Sequence, residues 1–326
     1  MAEITLVEAV NLALARAMQE DERVIVLGED VGANGGVFRA TLGLLERFGE
    51  ERVRDTPLAE AVIAGLSIGL AVEGLKPVAE IQFSGFFYPC IDQLVNHASR
   101  LRTRTRGRLS CPIVLRTPSG GGIHAPEHHS ESMEAMLAHV PGLRVVYPSS
   151  PRRAYGLLLS AIRDPDPVVF LEPTRLYRAV KEDVVDDGAG LALDTSFVLR
   201  EGRDVTLIAW GAMTHDVLSL AEALDRDGIA AEVIDVATLT PLDAGTILNS
   251  VGKTGRAVIA HEAPLTGGFG GEIAARIAEH ALFSLKAPVK RVAGYDTVMP
   301  LPRLEHDYLP SAGQIAAAVQ DVMRYS

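Results

Sequence analysis

Cysteine and tryptophan are scarce in this chain: two cysteines, Cys90 and Cys111, and one tryptophan among 326 residues. Both thiols sit in apolar contexts outside any Cys-x-x-Cys or metal-ligand spacing. That excludes a disulfide scaffold and a thiolate metal site, and it fits the core of a protein from a reducing compartment. Positive charge is also short, with 31 lysines and arginines against 42 acids and a net charge of −11. Such a balance argues against a surface that seeks nucleic acid. No apolar run reaches membrane-spanning length, and the start Met1-Ala2-Glu3-Ile4-Thr5 lacks a basic-then-apolar signal pattern. A soluble cytoplasmic protein, with no nucleic-acid and no membrane partner, is the expectation. Neither a GxxxxGKS/T phosphate loop nor a GxGxxG fingerprint in register occurs, which counts against a nicotinamide-dependent enzyme. Short-period repeats and low-complexity segments are missing too.

What remains is a globular composition, 48% hydrophobic and 22% charged, long enough for two domains with large cores. Thr5 with Glu8 has the form of a capping box, followed by Leu6, Val10, Leu14 and Met18 on one helical face. Hydrophobic patterning predicts strands at 24–27, 78–83, 113–115, 145–146 and 168–171. It predicts helices near 41–48, from about Leu58 to 72, over 155–162, and a long one from Pro89 into an arginine-rich stretch. Composition then shifts at 180–194, where Lys181-Glu182-Asp183 and Asp186-Asp187-Gly188 form an acidic, glycine-containing connection. Beyond it strands at 205–210, 231–236 and 257–260 alternate with helices near 215–224, 243–251 and 272–281. The predicted class is α/β: a mostly parallel sheet within 1–180, a linker at 181–196, and a smaller α/β domain over 197–326.

Three segments carry candidate chemistry. Glu60 closes Asp55-Thr56-Pro57-Leu58-Ala59-Glu60 and opens the run 61–72, which holds no charge. A helix apolar all round is expected to be buried on all sides, placing this carboxylate at the edge of a dry compartment. Taken alone, Glu60 better suits an acid complementing the helix dipole, worth about 0.3–1 kcal/mol, and it is the neighbouring segments that favour the site reading. Ala61, Gly65 and Gly69 recur every fourth residue and suggest a close helix contact, with another subunit as one possibility. The second segment runs from Thr117-Pro118-Ser119-Gly120-Gly121-Gly122 to Glu131 and contains His124, His128 and His129, three of nine histidines within six positions. It follows a strand, where α/β proteins bind ligands, and histidine suits proton transfer near neutral pH. Metal ligation is the weaker reading there. The third, Phe83-Ser84-Gly85-Phe86-Phe87-Tyr88, clusters aromatics in a chain with only 5% of them. It suits either a hydrophobic plug or a stacking platform for a planar ring. Gly267-Gly268-Phe269-Gly270-Gly271 reads as a tight start to a helix rather than a phosphate cradle. Arg100, Arg102, Arg104, Arg106 and Arg108 read as helix-end cations or a docking surface for an acidic partner.

Together, Val26-Leu27-Gly28-Glu29-Asp30-Val31-Gly32, Gly35-Gly36-Val37-Phe38-Arg39, the Asp55 to Glu60 segment, Glu80-Ile81-Gln82-Phe83, His128-His129-Ser130 and Lys253-Thr254-Gly255-Arg256 form a familiar set. From near Thr5 to near Tyr325 the chain resembles the beta subunit of the thiamine diphosphate-dependent decarboxylating component of 2-oxo acid dehydrogenase complexes. The resemblance implies a transketolase-like pyrimidine-binding domain, a C-terminal domain and an α2β2 heterotetramer that serves a lipoyl-bearing dihydrolipoyl acyltransferase. It implies that Glu60 hydrogen-bonds N1′ of the cofactor's aminopyrimidine and that Phe86 stacks on that ring, with Leu58 and Gln82 beside it. His129 is implied to assist substrate binding and acyl transfer to lipoyl-lysine, and Glu29 to belong to a proton path. Ile113, Ala161, Ile162, Asp164 and Asp166 match positions that hold potassium in some relatives, with Asp166 where an asparagine is also found. Thiamine diphosphate enzymes usually carry Gly-Asp-Gly followed by asparagine for magnesium and diphosphate. This chain has no Gly-Asp-Gly, which assigns that half of the cofactor site to an alpha subunit and makes this chain alone inactive. Pyruvate is the expected substrate. Phe170-Leu171-Glu172-Pro173 and Leu176-Tyr177-Arg178 also occur in branched-chain relatives, so a branched-chain 2-oxo acid is the alternative, and a non-catalytic scaffold subunit a further one.

Overall fold

The strands form two large sheets and a two-stranded ribbon in a computed structural model describing residues 3–325; Met1, Ala2 and Ser326, the outermost limits of the expected domains, lie outside them. In chain order the strands are β1 (Glu3–Thr5), β2 (Val24–Gly28), β3 (Val53–Asp55), β4 (Lys76–Glu80), β5 (Val114–Ser119), β6 (Arg144–Val146) and β7 (Val168–Pro173). They continue with β8 (Lys181–Asp183), β9 (Phe197–Arg200), β10 (Val205–Ala209), β11 (Ala231–Asp235), β12 (Thr238–Thr240), β13 (Ala257–Pro264) and β14 (Lys290–Gly294). A seven-stranded sheet has the order β12-β6-β7-β5-β4-β2-β3 and a five-stranded sheet the order β14-β13-β10-β11-β9. The larger is parallel except for β12, and the smaller is parallel except for β9. Strands β2, β5 and β7 are buried along their whole length, as strands covered on both faces must be.

Helix Leu6–Glu20 starts at the Thr5–Glu8 capping box and packs with Pro151–Arg163 over one face of the larger sheet. Over the other face a single apolar cluster joins Leu27, Ile63 and Leu115 to Trp210, Ile234 and Ile259 of the second half. The halves are stitched further by β12, which leaves the second half to pair with β6. The acidic connection begins as β8, antiparallel to β1. No helix among the described residues is long and apolar enough to cross a membrane.

Two expectations need correction. Helix Glu60–Val72 is not buried on all sides: Ile63, Ala64, Ser67 and Ala71 face inward, while Val62, Leu66 and Val72 stand exposed. A Cβ on Gly69 would meet nothing within 4 Å. One face is therefore core, and the other is an apolar surface of the kind that marks an interface. The long helix from Pro89 is broken as well, into a 3-10 turn Ser84–Cys90, a helix Ile91–Asn96, a turn Ala98–Arg100 and a helix Leu101–Arg104. His97 leaves helical geometry at φ −122°, and the Ser99 hydroxyl bonds back to the Val95 carbonyl at 3.0 Å, the competition by which serine interrupts helices. The glycine pair at 268 and 270 does serve tight packing, because a Cβ at either would lie 2.7 Å from the His261 ring.

Glu134 lies between the halves, accepting from the Trp210 indole N–H at 3.1 Å. Burial pushes its carboxyl from 4.5 up to about 7. The folded state thus holds a proton that the unfolded chain has already released. Stability from this group is complete below about pH 4.5 and declines as pH rises toward 7. Glu134→Gln should flatten that decline, gaining about 1–3 kcal/mol over the parent at pH 8 and nothing at pH 4. Urea unfolding at the two pH values measures it, and identical pH slopes would exonerate Glu134.

Candidate active site

The carboxyl ends of β2, β3, β4 and β5 lie on one edge of the larger sheet, where parallel α/β sheets bind ligands. β2 ends at Gly28, where a Cβ would lie 2.7 Å from the Glu80 carbonyl. Only glycine lets the chain turn there, and it delivers Glu29. β3 ends at Asp55, whose carboxylate accepts from the Gly32 and Ala33 amides at 2.6 and 3.1 Å. Five residues on, Glu60 is the first residue of its helix, half-buried, with its carbonyl accepting from the Cys90 thiol at 3.3 Å. β4 leads to Gln82, whose amide donates to Asp30 Oδ2 at 3.2 Å and to the Glu29 carbonyl at 3.5 Å.

Glu29 is buried, and its Oε1 has no hydrogen-bond partner. Burial first, then the nearby Glu60 charge, push its carboxyl upward. A buried acceptor left open beside a second carboxylate suits a group that holds or passes a proton.

The aromatic segment divides by burial. Phe87 is fully buried as the plug, while Phe83 and Phe86 remain half-buried. They close around His129, with ring centroids 4.0 Å (Phe83) and 5.2 Å (Phe86) from the imidazole. Phe38 backs Phe83 at 5.6 Å. His129 Nδ1 is buried without a partner. Its neighbours are placed elsewhere: exposed His128 lies 3.2 Å from Glu127, and exposed His124 lies 3.1 Å from Glu305. Leu58 is 81% exposed at the mouth of this edge. Strand β5 continues to Ser119, so the histidine loop proper starts at Gly120.

Sequence patterning missed two sets of residues. Arg116, Glu80, Glu172 and Tyr177 form a buried ionic cluster beneath the edge. Glu262 and Glu305 reach the histidine loop from the second half, more than a hundred residues away in the chain. Glu80, Glu172 and Tyr177 lie in segments quoted above for the resemblance, but nothing local joins them to Arg116 or brings Glu262 and Glu305 to the loop.

The five potassium candidates converge on the turn between helix Pro151–Arg163 and β7. The Ile113 carbonyl accepts from the Val168 amide at 3.0 Å, and the Ala161 carbonyl accepts from the Asp164 amide at 3.3 Å. Asp164 is paired with Arg144 at 3.1 Å and Asp166 with Arg102 at 2.6 Å. The carboxylate charge is balanced by the chain's own guanidinium groups, leaving mainly carbonyl oxygens as donors.

Pyrimidine-binding and C-terminal domains of the transketolase type define the class. The transketolase pyrimidine-binding domain matches residues 2–180 and the transketolase C-terminal domain residues 195–315. A split-gene transketolase, solved as an inactive beta4 tetramer, superposes with a TM-score of 0.82 at 25% identity, covering 99% of both chains. The pyruvate dehydrogenase E1 component subunit beta of Acholeplasma laidlawii is 47% identical over 99% of both chains. That of Bacillus subtilis (strain 168) is 47% identical over 100% of both. The chain belongs to this family of E1 beta subunits.

Proposed function

We propose that the chain is the beta subunit of a 2-oxo acid dehydrogenase of the pyruvate, acetyl-transferring type, active only with an alpha subunit. The observation that carries this reading is the gathering of Glu29, Glu60, Gln82, Phe86 and His129 along one sheet edge, in a chain 47% identical over its full length to E1 beta subunits. The open Glu29 acceptor and the half-buried Phe86 ring fit an aminopyrimidine. When bound, thiamine diphosphate supplies the electron sink for loss of carbon dioxide. Glu60 would hydrogen-bond N1′ of the bound cofactor, Phe86 would take the face of its aminopyrimidine, and Leu58 and Gln82 would flank it. Glu29 belongs to a proton path beside Glu60. His129 orients the 2-oxo acid and assists acyl transfer to lipoyl-lysine.

The diphosphate and magnesium are assigned to the alpha subunit. The exposed face of Val62, Leu66 and Val72, continuous with the helix that starts at Glu60, supports assembly as an α2β2 heterotetramer. The lipoyl-bearing dihydrolipoyl acyltransferase is the second partner, and the cytoplasm the location. Residues 1–180 are assigned as the pyrimidine-binding domain, 181–196 as linker and 197–326 as the C-terminal domain. A potassium ion is assigned to the carbonyls of Ile113, Ala161 and Ile162 with Asp164 and Asp166.

Co-purification with the alpha subunit, followed by assay of carbon dioxide release from pyruvate and from 3-methyl-2-oxobutanoate, tests the reading. Pyruvate should be preferred by about tenfold or more, the discrimination that a few methylene groups allow. The beta chain alone should show none. Preference for the branched acid would move the chain to the branched-chain type, and turnover of neither would end the substrate assignment.

A further inference from the structure

Resting on the role just given to His129, we propose that Glu305 and Glu262 of the second half are positioning residues that hold the loop leading into that histidine. The loop leaves β5 at Gly120 and returns at Glu131, where its neck is closed within the first half. The Glu131 carbonyl accepts from the Gly120 amide at 3.0 Å and from the Ser84 hydroxyl at 2.8 Å. Ser84 belongs to the same turn as Phe86, so the neck is bonded directly to the aromatic wall around His129.

Beyond Gly120, the backbone bonds of the outgoing limb are made outside its own half. Its backbone donors end instead on two carboxylates from far along the chain. The Gly121 amide donates to Glu262 Oε2 at 3.1 Å, the Gly122 amide to Glu305 Oε1 at 2.7 Å, and the His124 amide to Glu305 Oε2 at 3.1 Å. Gly120, Gly122 and His124 have φ of +84°, +91° and +58°. Turns of this kind aim successive N–H groups into a concavity that ordinarily takes an external anion. Here the anions are the protein's own.

The carboxylates are themselves fixed. Glu305 is 1% exposed and Glu262 is 7% exposed. A buried carboxylate is tolerated only when its oxygens are bonded, and for Glu305 two loop amides supply this, with His124 Nδ1 a third neighbour at 3.1 Å. Glu262 Oε1 accepts from Arg175 Nε at 2.9 Å, and Arg175 in turn grips Asp216 through both terminal nitrogens. A Cβ on Gly122 would lie 2.8 Å from Arg175 Cδ, so the limb is pressed against this ionic layer as well as bonded to it. The second half therefore sets where the loop sits, and through its neck and the Phe83–Phe86 wall, how His129 faces the site.

The test uses the complex assembled with the alpha subunit and carrying Glu305→Gln or Glu305→Ala. The glutamine variant keeps the shape should the alanine variant fold poorly. Amide exchange by mass spectrometry over 120–131 reads the loop directly. Acetylation of an isolated lipoyl domain reads the transfer step, and oxidation of pyruvate with a dye as electron acceptor reads decarboxylation without that step. Loop exchange should quicken about tenfold, the loss expected for one charge-assisted bond. Transfer should fall about tenfold or more, as misplacement of a reacting group does, and dye-coupled turnover of pyruvate should fall by a smaller factor, because His129 also orients the 2-oxo acid. Unchanged loop exchange overturns the proposal, as does unchanged transfer when His129→Ala lowers it. If His129→Ala itself leaves transfer intact, the role of His129 fails, and the loop exchange still decides whether Glu305 holds the limb.

Discussion

Glu60→Gln is expected to lower decarboxylation by the assembled complex about 10²–10⁴-fold, the usual worth of a positioned acid–base group, with assembly unchanged. The substitution keeps the shape of the side chain and removes only its ability to ionise. The competing account, an acid that merely complements the helix dipole, predicts a stability change of about 0.3–1 kcal/mol and no loss of turnover. Glu29 gives the substitution a second readout. Its upward-pushed carboxyl owes part of the shift to the Glu60 charge, so the two acids share one electrostatic compartment. In Glu60→Gln that like charge is gone, and Glu29 should ionise at lower pH. Steady-state turnover and carbon dioxide release in the reconstituted complex measure the effect. Full activity would sink the catalytic assignment and favour a scaffold subunit.

What could be read from the chain is whatever its neighbours in sequence determine. Val24–Gly28, Val114–Ser119 and Val168–Pro173 are continuous apolar runs because both their faces are covered. The Thr5–Glu8 cap is a three-residue device and was legible as one. Glu60, Gln82 and Phe86 stand as candidates in the sequence because each follows a strand end within a recognisable segment. Non-local features do not. The three residues of β12 carry no strand signal of their own and gain it by pairing with β6, which lies in the other half. Glu305 resembles any surface acid until the fold brings it against Gly122 and His124. The charge-free helix misled for a related reason. Apolarity reports that a surface leaves water, and it does not say whether its own chain or another covers it. Ile63 and Ala64 are covered by this chain, whereas Val62 and Leu66 are left open by it.

Arg116→Met should cost about 3–5 kcal/mol of folding stability near pH 8, the penalty for removing one partner from a buried ionic group. Arg116, on the central strand β5, is 1% exposed. It bonds Glu172 on β7 through Nε at 2.8 Å and through a second nitrogen at 2.9 Å, and it pairs with Glu80 on β4. Both acids are themselves buried, at 0% and 3% exposed. Burial already pushes the Glu80 carboxyl upward, and the guanidinium is the chief influence pulling it back. Without the cation, Glu80 would be driven toward its neutral form, so the folded variant would hold a proton that its unfolded chain releases. Its deficit should therefore be small near pH 4 and grow as pH rises through the range where free glutamates ionise. The cluster also backs the active edge: Tyr177 bonds Glu172, and its ring lies 5.0 Å from Phe38, which supports Phe83. Loss of Arg116 should thus loosen the wall around His129 as well as the sheet. Combining Arg116→Met with Glu80→Gln and Glu172→Gln should restore much of the stability, because neutral replacements need no cation. Urea unfolding of the single and triple variants at pH 5 and 8 decides this. A single variant within about 0.5 kcal/mol of the parent at pH 8 would show that the cluster contributes no more than an ordinary surface substitution.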